Sequence, residues 1–363
     1  MGSTAKQRTV RLSAPQEYVA AIPHLLGFYP RDSLVLTTLH GGPEVSRLGL
    51  TARVDLPGPL RRHELVRELV EGPISHDAPD GVMGAVVGSG SREEVAPACP
   101  RPSAPHPETP DPPPHSELVE TLRQVLREAG IPLVRALWTP EVRPDGVWRC
   151  YDEQWEGMTP DPGSSPLAAE LAVAGAVTFS SRQELAATLT PESSEIRSRW
   201  SAKLNLLQDE AEPHRGEAAT CAADTEAVFG AIRRTARGRP LTEEDLLRVL
   251  VALSDYRVRD LAMGAALTPW SRAAEQLWFT LVRKAPEPEV ADVAALLAFS
   301  AYLRGDGALA SVALERVENT RPAHRLGELL RRALDSGISP RELAVVVRDT
   351  AADARMMIEQ EET

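Results

Sequence analysis

The pattern of hydrophobic residues changes once along this chain, and that change constrains the fold more than any other feature. Before residue 160, short apolar runs of strand length alternate with segments of helical period. From Pro166 onward the strand pattern disappears, and successive segments follow the period of a helix. The sequence therefore predicts an α/β domain followed by an all-α domain.

The first half predicts a mixed sheet with helices packed on it. Strand-like runs cover 34–39, 47–56, 82–87, 131–138 and 147–151, and helical patterns cover 13–21, 63–70 and 116–129. A Gly-Gly-Pro turn joins the first two runs, which predicts an antiparallel hairpin. The first helix is expected to run to about Ala21, because Pro23 interrupts the segment after it. Alternation along the second run predicts one shared face for its apolar residues, which are Leu48, Leu50, Ala52 and Val54.

The second half predicts helices alone. They are expected over 166–176, 181–189, 192–209, 217–236, 242–253, 255–266, 270–284, 289–303, 307–319, 324–335 and 340–359. Ala274 and Ala310 are 36 positions apart, and a proline follows each of them twelve residues later. Two interpretations remain open for this half: a tetratricopeptide-like helical repeat and a general helical bundle.

Composition places the boundaries of these parts. We predict a polar tail over 1–12, an α/β domain over 13–180, a helical connector over 181–216 and an all-α domain over 217–363. Residues 97–114 contain nine prolines. Proline fixes φ and donates no backbone hydrogen bond, so this segment is predicted to be a disordered surface loop.

Charge and cysteine usage narrow the class of protein. A formal net charge of -12 argues against general nucleic-acid binding and against an anionic membrane surface. Cys99, Cys150 and Cys221 are far apart, so neither a zinc site nor a disulfide framework is predicted. The first residues contain no secretory signal, and no uncharged apolar run is long enough for a membrane span. We expect a cytoplasmic protein with no metal and no cofactor.

The turn from Gly27 to Ser33 has unusual content for a connector. It contains two aromatic residues, a proline and three polar residues directly before an apolar strand. We expect Phe28 to be at least half buried and to fix the turn that presents Asp32 and Ser33. This polar pair has two interpretations: it contacts a ligand at a sheet edge, or it makes local hydrogen bonds within the turn.

A second polar pair, Arg53 and Asp55, lies on one face of the second strand, and the predicted hairpin brings that face towards the turn. The pair could orient an anionic ligand beside a general base, or its members could bond each other as a cross-strand charge pair. The candidate ligand-binding residues are therefore Phe28, Asp32, Ser33, Arg53 and Asp55. No catalytic motif is identified, since the segment Gly88-Ser89-Gly90-Ser91 fits neither a dinucleotide fold, a P-loop nor a nucleophile elbow.

Several segments carry a resemblance to a known family. They are L-L-G-F-Y-P-R-D-S-L-V at 25–35, A-R-V-D-L-P at 52–57, A-G-I-P-L at 129–133, D-G-V-W-R at 145–149 and Y-L-R-G-D-G-A-L-A at 302–310. The chain resembles the actinobacterial domain-of-unknown-function family DUF 4192. That resemblance implies no activity and no catalytic residues.

These observations predict a non-enzymatic binding or protein-interaction protein that meets its partner through the helical half. The alternative is a small-ligand sensor or enzyme. Its pocket would be formed by the Gly27–Ser33 turn and the strand that carries Arg53 and Asp55.

Overall fold

The computed structural model describes residues 14–41, 46–90, 111–173, 175–215 and 217–349. The chain divides into two units, the first ending at Arg182 and the second beginning at Gln183. The first contains a sheet with packed helices and the second contains helices, so the predicted fold class is confirmed.

A six-stranded mixed sheet forms the centre of the first unit, with the strand order β2-β1-β3-β4-β5-β6. The strands are β1 (Ser33–His40), β2 (Arg47–Asp55), β3 (Gly81–Val87), β4 (Leu133–Thr139), β5 (Val147–Cys150) and β6 (Glu156–Met158). The pair β3–β4 is parallel and the other neighbours are antiparallel, so the predicted β1–β2 hairpin is confirmed. The sequence did not predict β6, whose three residues are too short to show alternation.

Helices cover both faces of this sheet. They are α1 (Pro15–Leu26), α2 (Arg62–Leu69) and α3 (Ser116–Glu128), and a further helix, α4 (Pro166–Val173), contacts α1. Leu34 and Leu36 of β1 belong to the core that α2 and α3 close. On the opposite face, the Tyr18 hydroxyl of α1 donates to Thr37 Oγ1 at 3.0 Å.

The first helix runs further than the sequence predicted. It continues through Pro23 and ends at Leu26, before Gly27 with φ 77°. A proline inside a helix removes one backbone hydrogen bond. Ile22, Pro23 and Leu26 are buried, and this burial offsets the missing bond.

A β-bulge in the hairpin changes the predicted faces of β2. Ala52 lies opposite Leu36, but beyond the irregularity Leu48 lies opposite Leu39. Leu36 and Leu39 point to opposite faces of β1, because its pairing with β3 is uninterrupted. Leu48 therefore does not share a face with Ala52, and the single apolar face predicted for β2 is wrong at this residue.

The second unit is built from helices in the described ranges. These are α5 (Arg182–Ala187), α6 (Ser194–Ala211), α7 (Ala218–Ala236), α8 (Glu243–Ala252), α9 (Tyr256–Gly264), α10 (Ser271–Lys284), α11 (Val290–Leu303), α12 (Gly307–Thr320), α13 (Arg325–Asp335) and a final helical segment over 340–349. From Val290 to Tyr302, every residue of α11 except Asp292 is buried. Helix α11 is thus the centre of this unit. The tetratricopeptide-like repeat stays a prediction.

Several predicted features lie wholly or partly outside the described residues. The polar tail over 1–12, most of the proline-rich loop (97–110) and the predicted helical residues 350–359 are among them. The last four residues of the proline-rich loop are described and make contacts: the carbonyl of Asp111 accepts from Arg149, and that of Pro114 accepts from the Tyr151 hydroxyl.

Among the helices of the described ranges, none has the length and apolar content that a membrane crossing requires.

Candidate functional site

Phe28 is a scaffold residue of the opening turn. Its ring is 5% exposed, which confirms the predicted burial. The backbone on either side is bonded to a later segment: Tyr29 N–H donates to the Phe179 carbonyl at 3.0 Å, and Phe179 N–H donates to the Gly27 carbonyl at 2.9 Å. Burial raises the pKa of the Tyr29 hydroxyl, and the nearby Asp161 carboxylate adds to that rise.

Ser33 begins β1 and is fully buried. Its hydroxyl donates to the Arg31 carbonyl at 2.6 Å and accepts from Arg53 Nε at 2.7 Å. The structure therefore shows the local hydrogen bond that one interpretation predicted, and adds a bond to the second candidate pair.

Arg53 is held from three sides. Besides Ser33, its Nη2 contacts Asp55 Oδ1 at 2.5 Å and donates to the Arg31 carbonyl at 3.2 Å. The side chain of Arg53 is 18% exposed, whereas that of Asp55 is 84% exposed. Arg53 and Asp55 therefore bond each other, and the carboxylate remains open to solvent.

Asp32 occupies a strained position beside this pair. Its φ of 41° lies in the left-handed region, which aspartate tolerates better than most residues. Its backbone carbonyl accepts from Leu56 N–H at 2.8 Å. Its exposed carboxylate accepts no hydrogen bond within the described part of the chain, so Asp32 does not make the local side-chain hydrogen bond that one interpretation predicted. A Cβ added to Gly88 would lie 3.1 Å from Asp32 Oδ1, so this carboxylate lies against the loop after β3.

The candidate residues meet at one edge of the sheet. Ser33 lies opposite both Asp55 and Val87, and Val87 lies opposite Thr139. This edge contains the carboxyl ends of the parallel strands β3 and β4, where ligands of α/β proteins commonly bind. It offers two exposed carboxylates, those of Asp32 and Asp55, around a guanidinium that is already bonded. We call this set the sheet-edge cluster.

Sequence reasoning missed a groove in the second unit. It has a volume of about 250 Å³ and lies between the end of α12 and the helix α13. The lining residues are Val317, Glu318, Arg321, Pro322, His324, Gly327, Glu328, Arg331 and Arg332. The sequence does contain a signal, because four arginines occur within the twelve residues from Arg321 to Arg332. We call this feature the α12–α13 groove.

One wall of the groove is fixed by a buried histidine. His324 is 4% exposed; its Nδ1 accepts from Gly327 N–H at 3.0 Å, and its Nε2 lies 3.0 Å from Asp292 Oδ1. Because Nδ1 accepts a backbone N–H, the proton must be on Nε2, which donates to the carboxylate. His324 therefore caps the first turn of α13 and ties it to α11.

Asp292 joins several helices through its carboxylate. It accepts from Arg259 of α9 at 3.1 Å and from Arg321 at 3.3 Å, in addition to His324. Burial raises the pKa of Asp292, but the bonds from His324 and Arg259 outweigh this and hold it below its ordinary value. Asp292 is thus a charged carboxylate that fixes the base of the groove.

The arginines of the groove differ in how they are bonded. Arg331 is engaged by Glu318, with Nε at 2.7 Å and Nη2 at 3.4 Å from the carboxylate oxygens. Arg332 donates from Nε to the Glu328 carbonyl at 3.3 Å and forms no ion pair with any described residue. Arg321 is half exposed and reaches Asp292 through one nitrogen. Two guanidiniums, those of Arg321 and Arg332, therefore have donors available to a ligand.

Comparison with protein families identifies the chain's family. A family described as Domain of unknown function (DUF4192) matches residues 15–341. The chain belongs to this family. Neither a curated protein nor a solved structure matches the chain. Membership of DUF4192 brings no activity with it, so function has to be argued from the sheet-edge cluster and the α12–α13 groove. Within the described ranges, no three His, Cys, Asp or Glu side chains are grouped as metal ligands would be.

Proposed function

We propose that this DUF4192 protein is a non-enzymatic binding protein whose helical unit holds a short segment of a partner protein. The observation that supports this is the α12–α13 groove. It combines the exposed ring of Pro322 with the guanidinium groups of Arg321 and Arg332. Arginine beside apolar surface is a common composition for the energetic centre of a protein interface.

The size of the groove favours a protein segment over a free metabolite. At about 250 Å³ it is smaller than the roughly 300–1,000 Å³ typical of small-molecule pockets. A groove of this size admits one or two side chains of a longer segment that continues across the surface. Its walls are fixed before binding by the His324–Asp292 bond and by the Arg331–Glu318 pair, so little ordering is required when the partner binds.

Neighbouring exposed residues of α13 give a direct test. Glu328 lines the groove, and Leu329 is 57% exposed but does not. A photo-crosslinking residue, p-benzoyl-phenylalanine, would replace Glu328 in one full-length protein and Leu329 in the other. In extract of the source cell, we expect a discrete protein adduct from position 328 and none from 329. Equal adducts at both positions, or none at either, would contradict the proposal.

We also propose a cytoplasmic location, which the cysteines support. Cys150 is buried and forms no disulfide bond within the described residues. Cysteines that stay as thiols are usual where the environment is reducing. Fractionation of the source cell would test this, and recovery of the protein outside the cytoplasmic fraction would contradict it.

A second candidate function belongs to the sheet-edge cluster: a small-ligand sensor or enzyme. The observation that favours it is the exposure of the Asp32 and Asp55 carboxylates beside a firmly held Arg53. A thermal-shift screen with metabolites and nucleotides tests it. We expect any genuine shift to disappear in Arg53→Ala and Asp32→Ala, and a shift that survives both variants would place the ligand elsewhere.

A further inference from the structure

The residues that line the α12–α13 groove include one more positive than negative side chain, on a chain of net charge -12. Three guanidiniums line it against the carboxylates of Glu318 and Glu328. The Glu318 carboxylate is already bonded to Arg331, which removes one charge of each sign. The first turn of α13 also lies here, and the positive end of a helix dipole favours an anion. The charged groups that remain available to a ligand are the guanidiniums of Arg321 and Arg332, with the Glu328 carboxylate beside them.

Arg321 can turn towards a ligand at little cost. Its contact with Asp292 is a single one at 3.3 Å, while Asp292 keeps His324 at 3.0 Å and Arg259 at 3.1 Å. Releasing Arg321 therefore leaves the Asp292 carboxylate bonded. Arg332 needs no release, because among the described residues it has no carboxylate partner.

Resting on the proposed function, we infer that the groove recognises the carboxylate of an acidic residue in the partner segment, with Arg321 and Arg332 as its donors. Guanidinium groups bind carboxylates through paired, charge-assisted hydrogen bonds. The exposed ring of Pro322 contacts the methylene groups of the same acidic side chain. Glu328 disfavours a second negative charge, which selects a carboxylate over a doubly charged phosphate.

Helix α13 provides a matched control for this inference. Arg332 and Arg325 are both exposed arginines on this helix, and neither forms an ion pair with a described residue. Only Arg332 lines the groove. Arg332→Ala and Arg325→Ala thus remove the same charge from the same helix, and they differ in whether the groove is affected.

The experiment selects displayed random peptides on the full-length protein and then measures one selected peptide by fluorescence anisotropy. We expect selected peptides to share Asp or Glu at one position, and replacement of that residue by its amide to weaken binding by about tenfold or more. Arg332→Ala and Arg321→Ala should each cause a similar loss, and Arg325→Ala less than about twofold. A phosphoserine at the acidic position should bind more weakly than Glu. Matching thermal melts of the variants exclude misfolding as the cause.

The outcomes separate this inference from the proposed function. Peptides that crosslink from position 328 but carry no acidic residue would overturn the carboxylate assignment and leave the groove as the binding site. Tighter binding of phosphoserine, or an Arg332→Ala protein that binds like the parent, would also overturn it. A selection that yields no binder, or binders that crosslink equally from position 329, would instead overturn the proposed function.

Discussion

Phe28 is the residue on which the opening turn depends most. Its ring is almost fully enclosed, and truncation of such a ring leaves a cavity that the surrounding chain fills only in part. We expect Phe28→Ala to lower the free energy of unfolding by ~3–5 kcal/mol, measured by urea denaturation. Tyr29→Phe is the control, since it removes one hydroxyl from the same turn, and its unfolding curve should match the parent. A Phe28→Ala protein as stable as the parent would show that the turn is not anchored by this ring.

Substitutions of Asp32 can separate the effect of backbone strain on stability from the effect of the carboxylate. Its φ is 41°, where an alanine is disfavoured by ~1–2 kcal/mol and a glycine is not. Asp32→Ala should therefore destabilise the protein by ~1 kcal/mol, and Asp32→Gly should be close to neutral because relief of strain offsets the greater freedom of the unfolded chain. Equal losses for both variants in urea denaturation would instead show that the carboxylate itself stabilises the fold.

The sequence predicted part of the sheet-edge cluster and not the rest. It correctly indicated the burial of Phe28, because an aromatic residue between a helix and an apolar strand is rarely exposed. The sharing of Arg53 among Ser33, Arg31 and Asp55 depends on the register that places Ser33 opposite Asp55. The sequence of one strand does not determine its register with a neighbour. The hydrogen bonds of Arg53 could therefore be identified only in the structure.

At the scale of elements, local rules failed where tertiary contacts outweighed them. Helix α1 passes through Pro23 because Ile22, Pro23 and Leu26 are buried. The bulge near Thr38 follows from Asp77, whose Oδ2 accepts from Thr38, His40 and the Leu50 N–H. Asp77 lies 37 residues beyond His40, and an alternation pattern cannot contain such a contact. The Thr242–Asp245 capping box at the start of α8 needs no such contact, because its two residues are three positions apart.

Asp292 connects three helical elements, so its charge should contribute to the stability of the second unit. Asp292→Asn keeps the shape and weakens the bonds to His324, Arg259 and Arg321. We expect a loss of ~1.5–3 kcal/mol at pH 7, the range for hydrogen bonds to a charged group, measured by urea denaturation. Glu226→Gln is the control, because the Glu226 carboxylate is mostly exposed in its pair with Arg233 and its loss should leave stability unchanged.

The difference in free energy of unfolding between the parent and Asp292→Asn should depend on pH in one direction. The pKa of Asp292 in the folded protein is held below its ordinary value. Its stabilising contribution is therefore complete above the unfolded pKa of about 4 and is lost as the pH falls through the lower folded value. The gap between the parent and Asp292→Asn should shrink below about pH 4. A gap that stays constant from pH 7 to pH 3 would contradict the ionised, bonded state of Asp292.

Gly327 sets the close approach of α12 and α13. A Cβ at this position would lie 2.7 Å from Val317 Cγ1, and Val317 is buried. Gly327→Ala should therefore destabilise the protein by ~1–3 kcal/mol, although alanine normally favours a helix over glycine. Adding Val317→Ala should recover part of that loss, which a double-mutant cycle measures. A Gly327→Ala protein more stable than the parent would mean that the helices adjust freely and that the groove is not rigid.

At the scale of the whole chain, the change from a mixed α/β pattern to helices could be predicted from the sequence, because hydrophobic periodicity is a local property. The α12–α13 groove could not be predicted from the sequence. It is lined by Arg321, at the end of one helix, and by Arg332 on the next, and the facing of two helices depends on packing around the buried α11. Charge on a helix face looks the same in sequence whether it is solvated or lines a groove.

The boundary of the helical unit leads to the last prediction. Helix α6 (Ser194–Ala211) packs within the second unit: Trp200 is 2% exposed, Leu204 is buried, and Arg199 and Lys203 both bond Glu243 of α8. A fragment of residues 183–363 should therefore unfold cooperatively with a helical circular dichroism spectrum. A fragment of 217–363 loses the burial of one tryptophan and one leucine and should be less stable by more than ~4 kcal/mol. Equal stability of the two fragments would make α6 a linker, and failure of 183–363 to fold alone would show that the second unit depends on the rest of the chain.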